Sequence, residues 1–82
     1  MANVTIPAST AVDLYAASSI SPGTQITVTN ITTADIRLSD SESGVDNDYI
    51  VLNAYEQAIN TAGDSDAYAF SVGGGAVNVK ES

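Results

Sequence analysis

The sequence has no cysteine, no histidine and no tryptophan, and only two cationic side chains, Arg37 and Lys80. The lack of cysteine excludes thiol nucleophiles, disulfides and thiolate metal sites. The lack of histidine removes the side chain that most often moves protons near neutral pH. A protein that is not an enzyme and needs no cofactor is therefore expected. Ten carboxylates against two bases give a formal net charge of −8. Such a surface repels phosphate backbones and anionic bilayers, so neither nucleic acid nor membrane is expected as a partner. No apolar run approaches the length of a membrane-spanning helix. Residues Met1 to Thr5 lack the basic start and apolar stretch of a secretory signal. Synthesis in the cytosol without export is the expectation.

What is present fits one small domain of 82 residues. A chain of this size hides only roughly 60–65% of the surface its unfolded form exposes. Small domains usually add disulfides, a metal or association with copies of themselves. Disulfides are excluded and good metal ligands are scarce, so self-association is the expected remedy. Charged residues make up only 15% of the chain, and small polar residues fill much of the rest. That mix reads as folded and β-rich instead of as a disordered acidic tail.

The pattern along the chain predicts strands separated by turns. Asn3 to Ile6 is a strand candidate closed by Pro7, which cannot donate to a sheet ladder. Ser9-Thr10 is positioned to cap a short helix over Ala11 to Ala17, with an extended arm packing Val12, Leu14 and Ala16 as the competing reading. Residues 1–11 are read as an N-terminal strand or arm, and 12–82 as a single β domain. Ser21-Pro22-Gly23-Thr24 has the form of a type II turn. Beyond it, Ile26 and Val28 alternate with Gln25, Thr27 and Thr29, and the strand should end or bulge near Asn30-Ile31. A second strand, with Ile36 and Leu38 inward and Arg37 outward, is expected to complete a hairpin with it. The apolar run Tyr49 to Leu52 implies burial on both faces or at an interface. Residues 54–60 favour a strand over a helical turn. Ala67 to Val72 alternates, with Tyr68, Phe70 and Val72 on one face and Ala67, Ala69 and Ser71 on the other. Gly73-Gly74-Gly75 breaks the chain before a last strand carrying Val77 and Val79 on one face. Short strands at regular spacing predict an all-β fold, a small antiparallel sandwich or barrel with at most a short helical turn near the N-terminus.

Motifs that could carry chemistry are few. The acidic loop Asp40 to Asp48 fails as an EF-hand: with its glycine at Gly44, the first ligand positions hold Ser39, Ser41 and Ser43, and the bidentate position holds Ile50. A solvated loop is the plain reading, with Asp46 and Asp48, or Asp64 and Asp66, left as looser cation ligands. Paired carboxylates for glycoside hydrolysis would need an aromatic-lined cleft that this chain has little bulk to build. The triple glycine leads into a strand instead of a helix, which argues for a turn and against a phosphate loop. The sequons at Asn3 and Asn30 matter only in an exported eukaryotic chain. Tyr15, Tyr49, Tyr55 and Tyr68 offer apolar faces with polar tips and divide between core and subunit interface. With neighbouring apolar residues they give a candidate interface set of Leu14, Tyr15, Tyr49, Val51, Tyr55, Tyr68 and Phe70.

The segments Val12-Asp13-Leu14-Tyr15-Ala16-Ala17-Ser18-Ser19-Ile20 and Pro22-Gly23-Thr24-Gln25-Ile26-Thr27-Val28-Thr29-Asn30, with Ala62-Gly63-Asp64-Ser65-Asp66-Ala67-Tyr68-Ala69-Phe70-Ser71 later, carry a resemblance. Over residues 12 to 79 the chain resembles small virion-associated structural proteins of tailed bacteriophages, of the head-decoration or fibre-base type. Ser19 stands where that family usually has glycine, and Tyr68 where it usually has tryptophan. The resemblance implies a structural role in the virion, synthesis in the host bacterial cytoplasm, and capsid or other virion proteins as partners. It fits a homo-oligomer, with a trimer favoured. Two other classes compete. One is an acidic inhibitor or DNA mimic that blocks a basic site on a host protein, motivated by the net charge. The other is a carbohydrate-binding module on a fibre, disfavoured by the missing tryptophan.

Overall fold

The computed structural model describes residues 2–82. Its strands are β1 (Ala2–Ile6), β2 (Val12–Asp13), β3 (Ile26–Asn30), β4 (Ile36–Ser39), β5 (Ile50–Leu52), β6 (Gln57–Asn60), β7 (Tyr68–Phe70) and β8 (Gly75–Glu81). A single helix, α1 (Leu14–Ser18), lies between β2 and β3, and a 3₁₀ turn covers Ser43–Asp46. The strands form two four-stranded sheets, in the orders β1-β8-β3-β6 and β2-β7-β4-β5. Neighbouring strands run antiparallel throughout. The architecture is all-β, a sandwich whose core lies between the sheets.

Period-two alternation builds that core. In the first sheet Val4 pairs with Val77 and Val28 with Val79, so four valines meet on its inner face. Ile6 and Ile26 lie on the same buried side, and Ile36, Leu52 and Ala69 face them from the second sheet. Each large aliphatic side chain hidden in this way contributes about 1.5–3 kcal/mol. Residues 2–6 make a full five-residue ladder with β8, so they are an integral edge strand of the first sheet and not a separate arm.

On β7 the inward face is the small one: Ala67, Ala69 and Ser71 are buried, while Tyr68 and Phe70 lie on the outer surface. α1 contributes Leu14 and Tyr15 to the same buried cluster. Leu14 and Tyr15 are almost completely enclosed, and the Leu14 amide donates to the Ala67 carbonyl at 2.8 Å.

Two local expectations are corrected. The helix cap is Asp13, not Ser9-Thr10: Asp13 Oδ1 accepts from the amides of Tyr15 (3.1 Å) and Ala16 (3.3 Å). A cap must sit immediately before the first helical residue, and Val12–Asp13 is held extended by pairing with Ala69 and Tyr68. The helix ends at Ser19 with φ +62, a left-handed conformation that favours glycine. The hairpin of β3 with β4 does not form, because the two strands belong to different sheets. Alternation specifies a strand but not its partner. Here the Asn30 amide donates to Glu56 and the Ile31 amide to Ala76, which holds the end of β3 in the first sheet while residues 31–35 cross to the second.

The acidic loop is solvated as expected, with Asp40, Glu42, Asp46 and Asp48 all exposed. Its 3₁₀ turn folds back over the outer face of the second sheet and buries Gly44 and Val45. A side chain at Gly44 would collide with the hydroxyls of Ser39 and Ser41, so this approach requires glycine. The Pro22-Gly23 turn takes its expected form, with Gly23 at φ +92 and the Thr24 amide bonded to the Ser21 carbonyl.

Candidate functional site

The outer face of the second sheet concentrates the surface features of the molecule. Register places Val51 opposite Arg37 and Arg37 opposite Phe70, so one row crosses β5, β4 and β7. The Arg37 guanidinium lies 4.6 Å from the centre of the Tyr49 ring and 5.3 Å from that of Phe70. Both distances are within the range of cation–π attraction. One further hydrogen bond, from Arg37 Nη1 to the Val45 carbonyl at 3.2 Å, ties the guanidinium to the 3₁₀ turn. What this cation touches among the described residues is therefore aromatic and carbonyl, which leaves most of its five N–H donors for groups outside the chain. Val51, Val72 and Tyr49 border a shallow depression of about 380 Å³ with Arg37 in its lining. Val51 and Val72 are 45% and 63% exposed. Arginine and tyrosine beside exposed aliphatics are residue types enriched at association surfaces.

The sequence-based interface set splits on this geometry. Tyr49, Val51 and Phe70 come together on the outer face. Tyr68 lies on the same face at the Asp13 end of β7. Tyr55 is exposed at the turn between β5 and β6, where it adopts φ +64, a conformation uncommon for a bulky residue. Leu14 and Tyr15 are withdrawn from the set, because both are buried in the core and have no surface to offer. Their place in the buried cluster with Ala67 and Ala69 is the physical reason. Arg37 and Val72 were missed as site residues. The signal for Arg37 was available, as it is one of only two cations and lies on an alternating strand.

The aspartates do not converge. Among the described residues there is no group of three or more acidic side chains placed to hold a metal ion. Asp64 instead accepts a hydrogen bond from the Thr61 hydroxyl across its own turn. The Asn30 sequon is also ruled out as a modification site by geometry, since its side-chain amide is enclosed.

Carboxylates do surround one tyrosine. The charge of Asp13, followed by partial desolvation and the charges of Glu42 and Asp66, raises the Tyr68 phenol above its ordinary pKa of 10.0. In an NMR titration of the ring carbons, Tyr68 is expected to ionise later than an exposed tyrosine. Asp13→Asn should bring it back down while preserving the helix cap, since asparagine caps as well as aspartate. The sign for stability follows by linkage. The folded state holds this proton more tightly than the unfolded state, so the contribution is intact below pH 10 and is lost as the pH rises through the higher folded value.

Comparison with protein-family models, curated proteins and solved structures found no match.

Proposed function

We propose that this protein is a structural component of a bacteriophage virion, a small head-decoration or fibre-base module that binds capsid or other particle proteins and associates with copies of itself. The observation that carries this reading is the Val51–Arg37–Phe70 row, with the Tyr49 ring under the guanidinium and Val72 beside it, an anchor-type surface on a small sandwich. The sequence resemblance over residues 12 to 79 supplies the setting, and the shortage of core in so small a domain supplies the motive for association. Three copies per assembly is the favoured number.

Light scattering of the purified chain is expected to give a multiple of its 8.4 kDa mass, with three-fold favoured. Added to particles that lack it, the chain should sediment with them. Arg37→Ala should weaken association by roughly 2 kcal/mol, or about thirty-fold. A chain that stays monomeric at high concentration and ignores the particles would remove the proposal.

The competing reading, an acidic inhibitor of a basic host protein, draws on Asp13, Glu42 and Asp66 around Tyr68. Its mark would be capture of a basic nuclease or polymerase at low salt, released as salt rises.

A further inference from the structure

The two sheets do not close against each other along one side. β5 and β6 are the edge strands of the second and first sheets, and they follow one another in the chain through the Asn53–Glu56 turn. Between them lies an open cleft of about 280 Å³ that reaches the core at Val28, Leu38 and Ala67. Ile50 stands at its mouth. By register Ile50 is on the same face as Leu38, the core-facing side, yet it is 56% exposed. On the opposite wall, lined by Ala58, Ile59 and Asn60, the residue paired with core-facing Val28 is Ala58, too small to cover Ile50, and Ile59 is itself 60% exposed. An inward-facing isoleucine left uncovered, between two strands with one unpaired backbone edge each, leaves room for one more strand.

The charge around the mouth selects the occupant. Asp40 and Asp48 line the cleft and no lysine or arginine does. A second copy of this chain would bring another net −8 to an acidic rim, whereas the Arg37 face carries its own cation. We infer that the cleft receives an extended segment of a partner protein in which apolar residues alternate with lysine or arginine. The segment adds as a strand to the open edge of β6, the longer of the two edges. Its apolar side chains enter the cleft against Ile50, and its cations meet Asp40 and Asp48. Main-chain pairing gives affinity in such an arrangement, and alternate side-chain pockets give selectivity.

The test uses the whole chain and three capped nine-residue peptides. The first alternates lysine with valine or isoleucine, the second replaces lysine with glutamate, and the third replaces the apolar residues with serine. The first is expected to bind at least about tenfold more tightly than either of the others. In amide NMR it should shift Gln57–Asn60 and Ile50–Leu52. Ile50→Asp, at an exposed position, should abolish these shifts and leave the remaining spectrum unchanged. Asp48→Asn should weaken binding severalfold. Equal binding by the serine peptide would mean attraction by net charge alone and would overturn the inference. So would shifts confined to other residues. The Gln57–Asn60 amides changing with protein concentration in the absence of peptide would assign the cleft to a second copy instead, and would equally overturn it. Val51 is left out of that reading, because it lies opposite Arg37 and reports on that face as well.

Discussion

Asn30→Ala is expected to lower stability by about 3–4 kcal/mol, the largest effect of any single polar substitution in the chain. Asn30 is fully buried, and its side chain holds together three segments that share no sheet. Its Nδ2 donates to the carbonyls of Ala34 (2.6 Å), Leu52 (3.1 Å) and Asn53 (3.1 Å). Its Oδ1 accepts from the amide and the hydroxyl of Thr32 at 2.9 and 2.8 Å. Alanine would leave several of these groups without a partner where water reaches them poorly, and each such group costs about 1–3 kcal/mol. A domain of this size has roughly 4–12 kcal/mol in total. At about 4–8 °C per kcal/mol the melting temperature should fall by roughly 12–30 °C in circular dichroism. Asn30→Asp should be worse at neutral pH, because a carboxylate set among three carbonyls has no proton to donate. It should recover partly as acid protonates it. If Asn30→Ala melts within about a kcal/mol of the parent, the hub is less important than its hydrogen bonds imply.

The second large effect is expected at Tyr15. Its ring is buried in the core, and its hydroxyl lies 2.7 Å from the Thr24 carbonyl and 3.0 Å from that of Asp64. The same oxygen accepts from Asn60 Nδ2 at 2.8 Å. One phenol thereby joins the helix to the approach to β3, to the turn after β6 and to the end of β6 itself. Tyr15→Phe keeps the ring and removes only these bonds, so a loss of about 2 kcal/mol is expected in urea unfolding with an unchanged m-value. Combined with Asn60→Ala, the losses should fall short of additive, since the two residues share one interaction. Strict additivity would show that the hydroxyl and the Asn60 amide act independently.

Much of the fold was legible in the sequence because alternation reports burial directly. Val4 and Ile6, Ile26 and Val28, and Val77 and Val79 all face the core as their spacing requires. What alternation does not encode is which strand lies beside which. The sequence-adjacent pair β3 and β4 has the pattern of a hairpin, but the end of β3 is bonded to Glu56 and Ala76 of the first sheet, long-range partners that no periodicity announces. Facing was ambiguous at β7, where aromatic residues alternate with alanines. Hydrophobicity alone would turn the aromatics inward, yet the buried cluster that takes Ala67 and Ala69 also holds Leu14 and Tyr15. The same competition explains the candidate site. The apolar surface of Leu14 and Tyr15 is absorbed by the core, while Tyr49, Val51 and Phe70 remain outside. Arg37 joined them through register, a property of the paired sheet and not of any one strand.

The order of the first sheet also governs how the protein comes into being. β8 lies between β1 and β3, so neither of those strands has its main partner until residues 75–81 have been made. Val4 must therefore find Val77 across nearly the whole sequence, which places folding among the slow, millisecond-to-second topologies. During synthesis β1 waits unpaired, and β3 has only β6 beside it, until β8 is made. Over that interval the net charge of −8 makes incomplete copies repel one another, which opposes edge-to-edge association of the waiting strand.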